Sequence, residues 1–362
     1  MSQRTISLIG VGDLGGAFLK IQTDKGYPVN AFFKDENKLL KFQETREHNS
    51  KKVEKLKLPR ELVNAYLTTD KNFNEIIPKS DIIELTIPSL ALPEILNKIE
   101  QSFRENLDRL SKQVTIVLTS KGADIETGLT PYKLAKKIFP KRRYPRVSIV
   151  LTTVVGFADG IAKGEPPSML ISGRITDKKS IRLIKALLNP GYFVMEHSFH
   201  PNDVCLTGMI KNTGAILIGI CEGIKTYTFQ NGLKIPIEIT AKHTFKHVVM
   251  GEMRKIAKEL GINSSIIEGL AGREDLDLSC NPEGRNWSFG YRLAKGENME
   301  DIISDIGTIE GIGATKYLAQ KTDSLCIGTL NKLLNERITL ERAAGIILRD
   351  FVPLRLSDSE VM

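Results

Sequence analysis

Two lysines, an aspartate and an arginine are the residues of this sequence best suited to chemistry. Lys211 and Asn212 interrupt an otherwise small and apolar stretch, GMIKNTGAILIGICEGI, that reads as a helix packed on several sides. A lysine in such surroundings is costly unless it has a partner or a task. Burial lowers a lysine's pKa and fits it for proton transfer near neutrality, and Asn212 adds a donor and an acceptor that can orient it. Lys121 follows VTIVLTS, at what reads as the carboxyl end of a strand, and precedes Gly122. From there its ammonium could bind a substrate oxygen; a lysine snorkelling at a strand end is the plainer alternative. Further on, GREDLDLSCNPEGRNWSFG gathers Asp275, Ser279, Arg285 and Asn286 in one glycine-punctuated loop. An arginine fork there suits a phosphate, and Asp275 could hold a lysine ammonium.

A nucleotide cradle stands near the start of the chain. SLIGVGDLGGAFLK contains Gly10, Gly12 and Gly15 in the order G-x-G-x-x-G, between a short apolar strand (Thr5–Ile9) and a helix-compatible run from Leu14. In that setting the first glycine permits a tight turn, the second lets the backbone approach a pyrophosphate, and the third allows close helix–strand packing. The helix start offers free N–H groups to the phosphates. The next strand ends in Phe32-Phe33-Lys34-Asp35. A carboxylate there would read a ribose 2′-hydroxyl and a cation a 2′-phosphate, so NAD and NADP both stay open, as does the plainer reading of two loop charges facing water. Ile87-Pro88-Ser89 and Ser120-Lys121-Gly122 follow strands whose carboxyl ends should border the ligand crevice. His243 and His247 have a metal-compatible spacing but lack a third ligand of the expected kind, so no metal is expected. Glu222 and Glu252 read as helix-surface carboxylates.

The elements that must position these groups follow from the apolar pattern. Strands are expected at Thr5–Ile9, Val29–Phe33, Asp81–Ile87, Val114–Thr119, Val147–Leu151, Ser168–Ser172 and Tyr192–His197, with amphipathic helices between several of them, such as Leu90–Ile99 and Lys179–Leu188. This predicts a Rossmann-type α/β domain over residues 1–200, a doubly wound parallel sheet with helices on both faces. Pro201-Asn202-Asp203 marks the boundary, with Asn or Asp capping the next helix. Beyond it, Val204–Thr228, Ile239–Leu260, Ile309–Gln320 and Ile327–Leu334 are of helix length, predicting an all-α domain over 201–362.

Composition narrows the function classes. The 362 residues, 41% hydrophobic and 26% charged, are enough for two ordinary domains or one large one with a sizeable core. The net charge of +8 favours anionic partners, but the basic residues are dispersed. The densest cluster, Lys136–Lys137 with Lys141–Arg143, is broken by Ile138-Phe139-Pro140, so a solvated surface is expected rather than nucleic-acid binding. Cys205, Cys221, Cys280 and Cys326 show no C-x-x-C spacing and suit a reduced cytoplasmic protein. No apolar run reaches the roughly 18 residues that span a bilayer, so no membrane insertion is expected. The early strand leaves no room for a signal peptide. Oligomeric state is left open, a homodimer included.

Taken in order, these segments resemble the NAD(P)-dependent glycerol-3-phosphate dehydrogenases. That family's pattern is a GxGxxG near the N-terminus, a "vPs" strand end, a "KG" strand end, a "GPxFA" segment, "KN" in a helix, "GDLxxTC…RN" and a late "vEG". Here these read as Gly10–Gly15, Ile87–Ser89, Lys121-Gly122, Phe157-Ala158, Lys211-Asn212, Asp275–Cys280 with Arg285-Asn286, and Ile309-Glu310-Gly311. The resemblance runs from about residue 5 to 350 and implies a Rossmann domain followed by a helical domain, with the active site between them. It implies reversible hydride transfer between NAD(P)H and C2 of dihydroxyacetone phosphate, serving glycerophospholipid synthesis or redox balance. Lys211 matches the proton-transferring lysine, and Lys121 a lysine touching both cofactor and substrate. Asp275 matches a carboxylate supporting lysine and substrate; Gly284, Arg285 and Asn286 match the phosphate-binding stretch, the arginine also lying near the cofactor. Asp13, Leu14, Lys34, Ala158, Thr308 and Glu310 match cofactor contacts. Ketone reduction needs a proton donor and a stabiliser for the developing alkoxide, which two lysines and an asparagine converging on one oxygen would supply.

The chain departs from the pattern in places. Val154-Val155-Gly156 replaces Gly-Pro-Ser/Thr, so a substrate contact there is lost or passes to Thr152 or Thr153. Gly272-Arg273-Glu274 precedes Asp275, and Asp13 sets a carboxylate beside the expected pyrophosphate, at some cost in affinity unless it caps the helix. A related β-hydroxyacid or ketopantoate-type reductase and a catalytically silent dinucleotide sensor are the alternative readings.

Overall fold

The computed structural model describes residues 4–53, 55–69, 71–106, 113–124, 127–224, 226–228, 234–236 and 239–351. The chain divides into two compact units, Met1–Cys205 and Leu206–Met362.

The first unit contains strands β1 (Ile6–Ile9), β2 (Val29–Phe33), β3 (Glu47–His48), β4 (Leu56–Lys57), β5 (Val63–Leu67), β6 (Ile82–Leu85), β7 (Val114–Leu118), β8 (Val147–Val155), β9 (Ser168–Ser172) and β10 (Val194–Ser198). Its main helices are α1 (Asp13–Asp24), α2 (Glu36–Thr45), α3 (Asn72–Ile76), α4 (Leu92–Glu105), α5 (Pro131–Ile138), α6 (Ala158–Ala162) and α7 (Lys178–Leu188). Eight strands form one sheet in the order β10-β9-β8-β7-β6-β1-β2-β5, while β3 and β4 make a separate antiparallel ribbon. The chain steps outward from β1 through β2 to β5, then returns to β6 on the other side of β1. That reversal opens a crevice beyond the carboxyl ends of β1 and β6, where ligands of open α/β sheets bind.

The central strands read ISLI, IIEL and VTIVL because both of their faces are covered. Ile6, Leu8, Ile82, Val117 and Val150 pack with Phe18 and Leu19 of α1 and Ile181 and Ile184 of α7. Ile9, Ile83, Leu85, Ile116 and Leu118 pack on the opposite face with Leu96, Ile99 and Phe103 of α4 and Leu134 of α5. Truncating a core phenylalanine such as Phe18 or Phe103 to Ala costs about 3–5 kcal/mol.

Six strands of the sheet run parallel, as the doubly wound expectation has it, while β8 and β9 pair antiparallel and β10 follows β9, a departure at that edge. The linker explains it. The nine residues of β8 span about 30 Å, whereas the five of α6 cover only roughly 8 Å, so the connection lacks the full-length helix that usually carries a parallel crossover and turns straight back into β9. Strand β5 and the β3–β4 ribbon are additions to the expected list.

The second unit is helical. It comprises α8 (Pro201–Gly223, whose first turn belongs to the first unit), α9 (Ile239–Glu259), α10 (Ser264–Glu268), a π-helical turn (Leu270–Glu274), α11 (Asp275–Ser279), α12 (Arg285–Ala294), α13 (Met299–Ile306), α14 (Glu310–Ala319), α15 (Leu325–Leu334) and α16 (Leu340–Phe351). A ribbon of β11 (Thr226–Thr228) and β12 (Lys234–Pro236) corrects the expectation that one helix extends to Thr228 and is a small addition to the expected helical domain. Pro201 is the first helical residue, so Asn202 and Asp203 lie inside the first turn instead of capping it. Helix α8 is long and apolar enough to cross a membrane, contrary to the run-length expectation, because Lys211 and Asn212 interrupt the apolar run without making the helix polar. Its apolar window is wholly buried in protein, as suits a core helix.

One buried polar pair carries a pH signature. Glu84 of β6 is fully buried, with its Oε2 accepting from Gln22 Nε2 of α1 at 2.5 Å. The remaining carbonyl-type oxygens of both side chains, Glu84 Oε1 and Gln22 Oε1, are buried without partners among the described residues. A protonated Glu84 carries the hydrogen one of these acceptors needs. Burial raises this carboxyl from its ordinary 4.5 to about 7, opposed by the Gln22 bond. The unfolded chain therefore ionises Glu84 before the folded chain does. Stability from this group is complete below about pH 4.5, falls as pH rises toward about 7, and is flat above. The loss expected is about 3 kcal/mol. Urea unfolding of Glu84→Gln from pH 5 to 8 should show a flatter profile than wild type and higher stability at pH 8; an identical slope would mean that Glu84 is not protonated in the fold.

Candidate active site

In the first unit the glycine turn joins β1 to α1. Gly10 has φ +101°, and a Cβ there would meet Thr86 O at 2.7 Å. A Cβ on Gly15 would meet Gly10 O at 2.3 Å. At Gly12, by contrast, a Cβ would find no atom within 4 Å. The middle glycine therefore faces open space at the start of α1, as a backbone that receives a pyrophosphate must. These residues fit a dinucleotide. Thr86, a residue the sequence reading passed over, fixes the turn by donating its hydroxyl to Gly10 O at 2.7 Å.

Asp13 does not cap α1, whose N-cap is Gly12 without a side-chain bond. Its Oδ1 instead accepts from Lys52 N at 3.0 Å, on the segment after β3. The Lys52 ammonium lies 5.3 Å over the ring of Phe157, the residue before Ala158 at the start of α6. The negative charge in the glycine turn thus anchors a segment that brings a cation to the same place. His48, on β3, packs its ring against Gly16; burial keeps its pKa below the ordinary value, opposed by the Gly12 backbone.

The loops after β6 and β7 are tied together. Ser120 Oγ donates to Ile87 O at 2.7 Å, and Gly122 N donates to Ser89 Oγ at 2.9 Å. Lys121 sits between these two bonds, which fix its backbone beside Ile87-Pro88-Ser89. Thr152 and Thr153, named as substitutes for a lost substrate contact, are buried in the β8–β9 ladder and present no exposed hydroxyl in this unit. Asp159, following Ala158 in α6, pairs with Lys163 at 3.5 Å.

In the second unit Lys211 and Asp275 are both 4% exposed, with Nζ 3.1 Å from Asp275 Oδ2. Lys211 Nζ also donates to Ser279 Oγ at 3.0 Å, and Ser279 Oγ reaches Asp275 Oδ1 at 3.4 Å. The π-turn Leu270–Glu274 directly precedes Asp275, and such widened turns re-aim the side chains that follow them. Asn212 does not orient Lys211. Its Oδ1 accepts from Asn286 Nδ2 at 3.1 Å, and its Nδ2 donates to Glu310 Oε2 at 3.3 Å. Successive helical residues point about 100° apart, so the two neighbours serve different partners. Asn286 Oδ1 accepts from Gly311 N at 2.9 Å, which joins α8, α12 and α14. Helices α8 and α12 come this close because Gly219 and Gly290 face each other's backbones: a Cβ on either would meet a carbonyl of the opposite helix at 2.2 Å. Gly284 is the N-cap of α12 and Arg285 its exposed first residue, a helix start with a guanidinium suited to a phosphate. Thr308 is exposed just before α14. Neither glutamate expected on a helix surface stands free there. Glu222 is largely buried 3.8 Å from Lys242, and burial raises its pKa; Glu252 accepts from Ser324 Oγ at 2.6 Å.

A glycine-turn nucleotide cradle at a sheet switch point, with a buried lysine–carboxylate pair in a helical unit, defines a dinucleotide-dependent dehydrogenase. Residues 5–178 match the family model for the NAD-dependent glycerol-3-phosphate dehydrogenase N-terminus, and residues 203–344 that for its C-terminus. The chain belongs to the NAD-dependent glycerol-3-phosphate dehydrogenase family. It is 24% identical over 354 residues to the glycerol-3-phosphate dehydrogenase [NAD(P)+] of Pseudomonas fluorescens, covering 96% of this chain and 91% of that one. It is 27% identical over 323 residues to that of Leptospira biflexa, covering 87% and 88%. The fold is shared with the crystal structure of glycerol-3-phosphate dehydrogenase from Coxiella burnetii, at a TM-score of 0.80 and 20% identity, covering 96% of this chain and 99% of that one. It is shared also with the Plasmodium falciparum glycerol-3-phosphate dehydrogenase structure, at 0.74 and 16%, covering 98% and 96%.

The two roles of Asp13 can be separated. Asp13→Asn removes the charge and keeps an acceptor for Lys52 N–H, whereas Asp13→Ala removes both. Fluorescence titration with NADH should show Asp13→Ala binding several-fold more weakly than wild type and Asp13→Asn binding at least as well, about a 1 kcal/mol difference. Tighter binding by both variants would make Asp13 a mere repulsive charge.

Proposed function

We propose that this chain interconverts dihydroxyacetone phosphate and sn-glycerol 3-phosphate, with Lys211 as the proton donor and acceptor. The observation that carries this reading is the buried Lys211–Asp275–Ser279 cluster in the same unit as the Gly284-Arg285 start of α12. When bound, the reduced nicotinamide supplies the hydride that C2 of the ketone receives. The glycine turn would hold the pyrophosphate on the α1 N-terminus, and Lys121 would be the lysine that the family pattern assigns to cofactor and substrate. Arg285, with Gly284 and Asn286, holds the substrate phosphate by a charge-assisted fork. Lys211 hydrogen-bonds the C2 oxygen and delivers its Nζ proton as negative charge builds there; Asp275 holds the ammonium in place. Asn212 fixes Asn286 and Glu310, the latter a cofactor contact in this reading along with Leu14, Lys34, Ala158 and Thr308.

A silent nucleotide sensor would have no use for a buried lysine–aspartate pair, whose desolvation costs several kcal/mol per ion. The reading includes a cytoplasmic location, supported by four thiols that form no disulfide, and a place in glycerophospholipid precursor supply.

The test is a substrate panel with NADH and NADPH. Oxidation should depend on dihydroxyacetone phosphate, and Arg285→Ala should raise its KM by roughly tenfold or more, the effect of losing a charged hydrogen bond. No oxidation of either nucleotide, or preference for a non-phosphorylated β-keto acid, would overturn the assignment.

A further inference from the structure

Lys34 and Asp35 stand side by side where the adenosine ribose is read, and the structure gives them different tasks. Asp35 is the N-cap of α2, its Oδ1 accepting from Lys38 N at 2.9 Å. A carboxylate that reads an unmodified ribose accepts from its hydroxyls; here one of the two oxygens serves a helix end instead. Lys34 is exposed beside it.

A cavity lies next to this helix start. It is lined by Val11 of the glycine turn, Phe33 at the end of β2, Lys38, Lys41 and Phe42 of α2, and Glu47, His48 and Asn49 at the ribbon. Its borders are the two landmarks between which an adenosine ribose lies in this fold: the residue inside G-x-G and the end of the second strand. Lys38 and Lys41 are three apart on α2 and so project from one face, over an apolar floor of Val11, Phe33 and Phe42. The other charged lining group, Glu47, is outnumbered by the two ammoniums. His48 is 3% exposed, and its Nε2 has no hydrogen-bond partner among the described residues. The positive end of the ten-residue α2 adds to the same field.

Resting on the dehydrogenase reading above, we propose that this cavity receives an adenosine 2′-phosphate, and that Lys38 and Lys41 make the chain select NADP(H) over NAD(H). Lysine acts here as a point charge on a flexible stem, so the pair needs no bidentate geometry to hold a phosphate dianion. Discrimination follows because only the 2′-phosphate offers the two neighbouring ammoniums a counter-charge, an interaction NADH cannot make.

Equilibrium titration of the full chain with NADPH and with NADH tests this, for wild type and the Lys38→Ala/Lys41→Ala double variant. Wild type should bind NADPH roughly tenfold or more tightly than NADH, and the double variant should lose that advantage while its NADH affinity stays within about twofold. Glu47→Gln should tighten NADPH and leave NADH unchanged. Equal wild-type affinity for the two nucleotides, or equal loss for both in the double variant, would overturn the selectivity while leaving the dehydrogenase reading in place. Binding of neither nucleotide would overturn that reading, and the subsite with it.

Discussion

The buried Lys211–Asp275 pair constrains how the helices of the second unit pack. Removing one partner of a buried ion pair costs about 3–5 kcal/mol, because the other charge is left without compensation. Helix α8 must therefore place Lys211 against α11, and the π-turn before Asp275 sets the angle at which the carboxylate arrives. Ser279, one turn beyond Asp275, bonds both groups and closes the triangle. The backbone contact at Gly219 and Gly290 then brings α12 beside α8, so that Asn286 can bond Asn212 and Arg285 opens its helix from a fixed base. A cation, its counter-ion and the helix start proposed to hold a phosphate come from one packing solution.

The first unit solves a different problem, that of keeping backbone N–H groups available at a helix start. The switch of direction between β1 and β6 makes the crevice, and Thr86 pins the turn that lines it. Ser89 and Ser120 then lock the two neighbouring loops to each other, leaving the backbone of Lys121 in one position. Asp13 looked like an intrusion in this arrangement. Its bond to Lys52 N makes it an anchor for the segment after β3, which carries His48 against Gly16 and the Lys52 ammonium over Phe157.

Much of this was legible in the sequence because strong local patterns carried it. Strands buried on both faces, such as VTIVL, announce themselves by unbroken apolar runs, and Gly10, Gly12 and Gly15 by strand–turn–helix context. Strand β5 escaped because an edge strand needs only one apolar face: in VNAYL only Val63 is buried, and Asn64 breaks the run. The antiparallel turn into β9 escaped because periodicity gives a strand's existence and not its direction, which the short α6 decides. At the site, Lys211 and Asp275 could be paired on charge and setting alone. The partners of Asn212 could not, since they lie on α12 and α14, brought near by glycines whose role is visible only in the packing. Ser279 was in view within its loop, but its bond to Lys211 depends on the turn of α11.

The central claim is that the Lys211 ammonium supplies the proton for reduction of a phosphorylated ketone. The most direct measurement compares kcat for dihydroxyacetone phosphate reduction in wild type and Lys211→Ala, with nucleotide affinity measured on the same samples. The account predicts that kcat falls by roughly 10²–10⁴ while the nucleotide dissociation constant is unchanged. A variant that binds nucleotide normally and turns over at near the wild-type rate would contradict it.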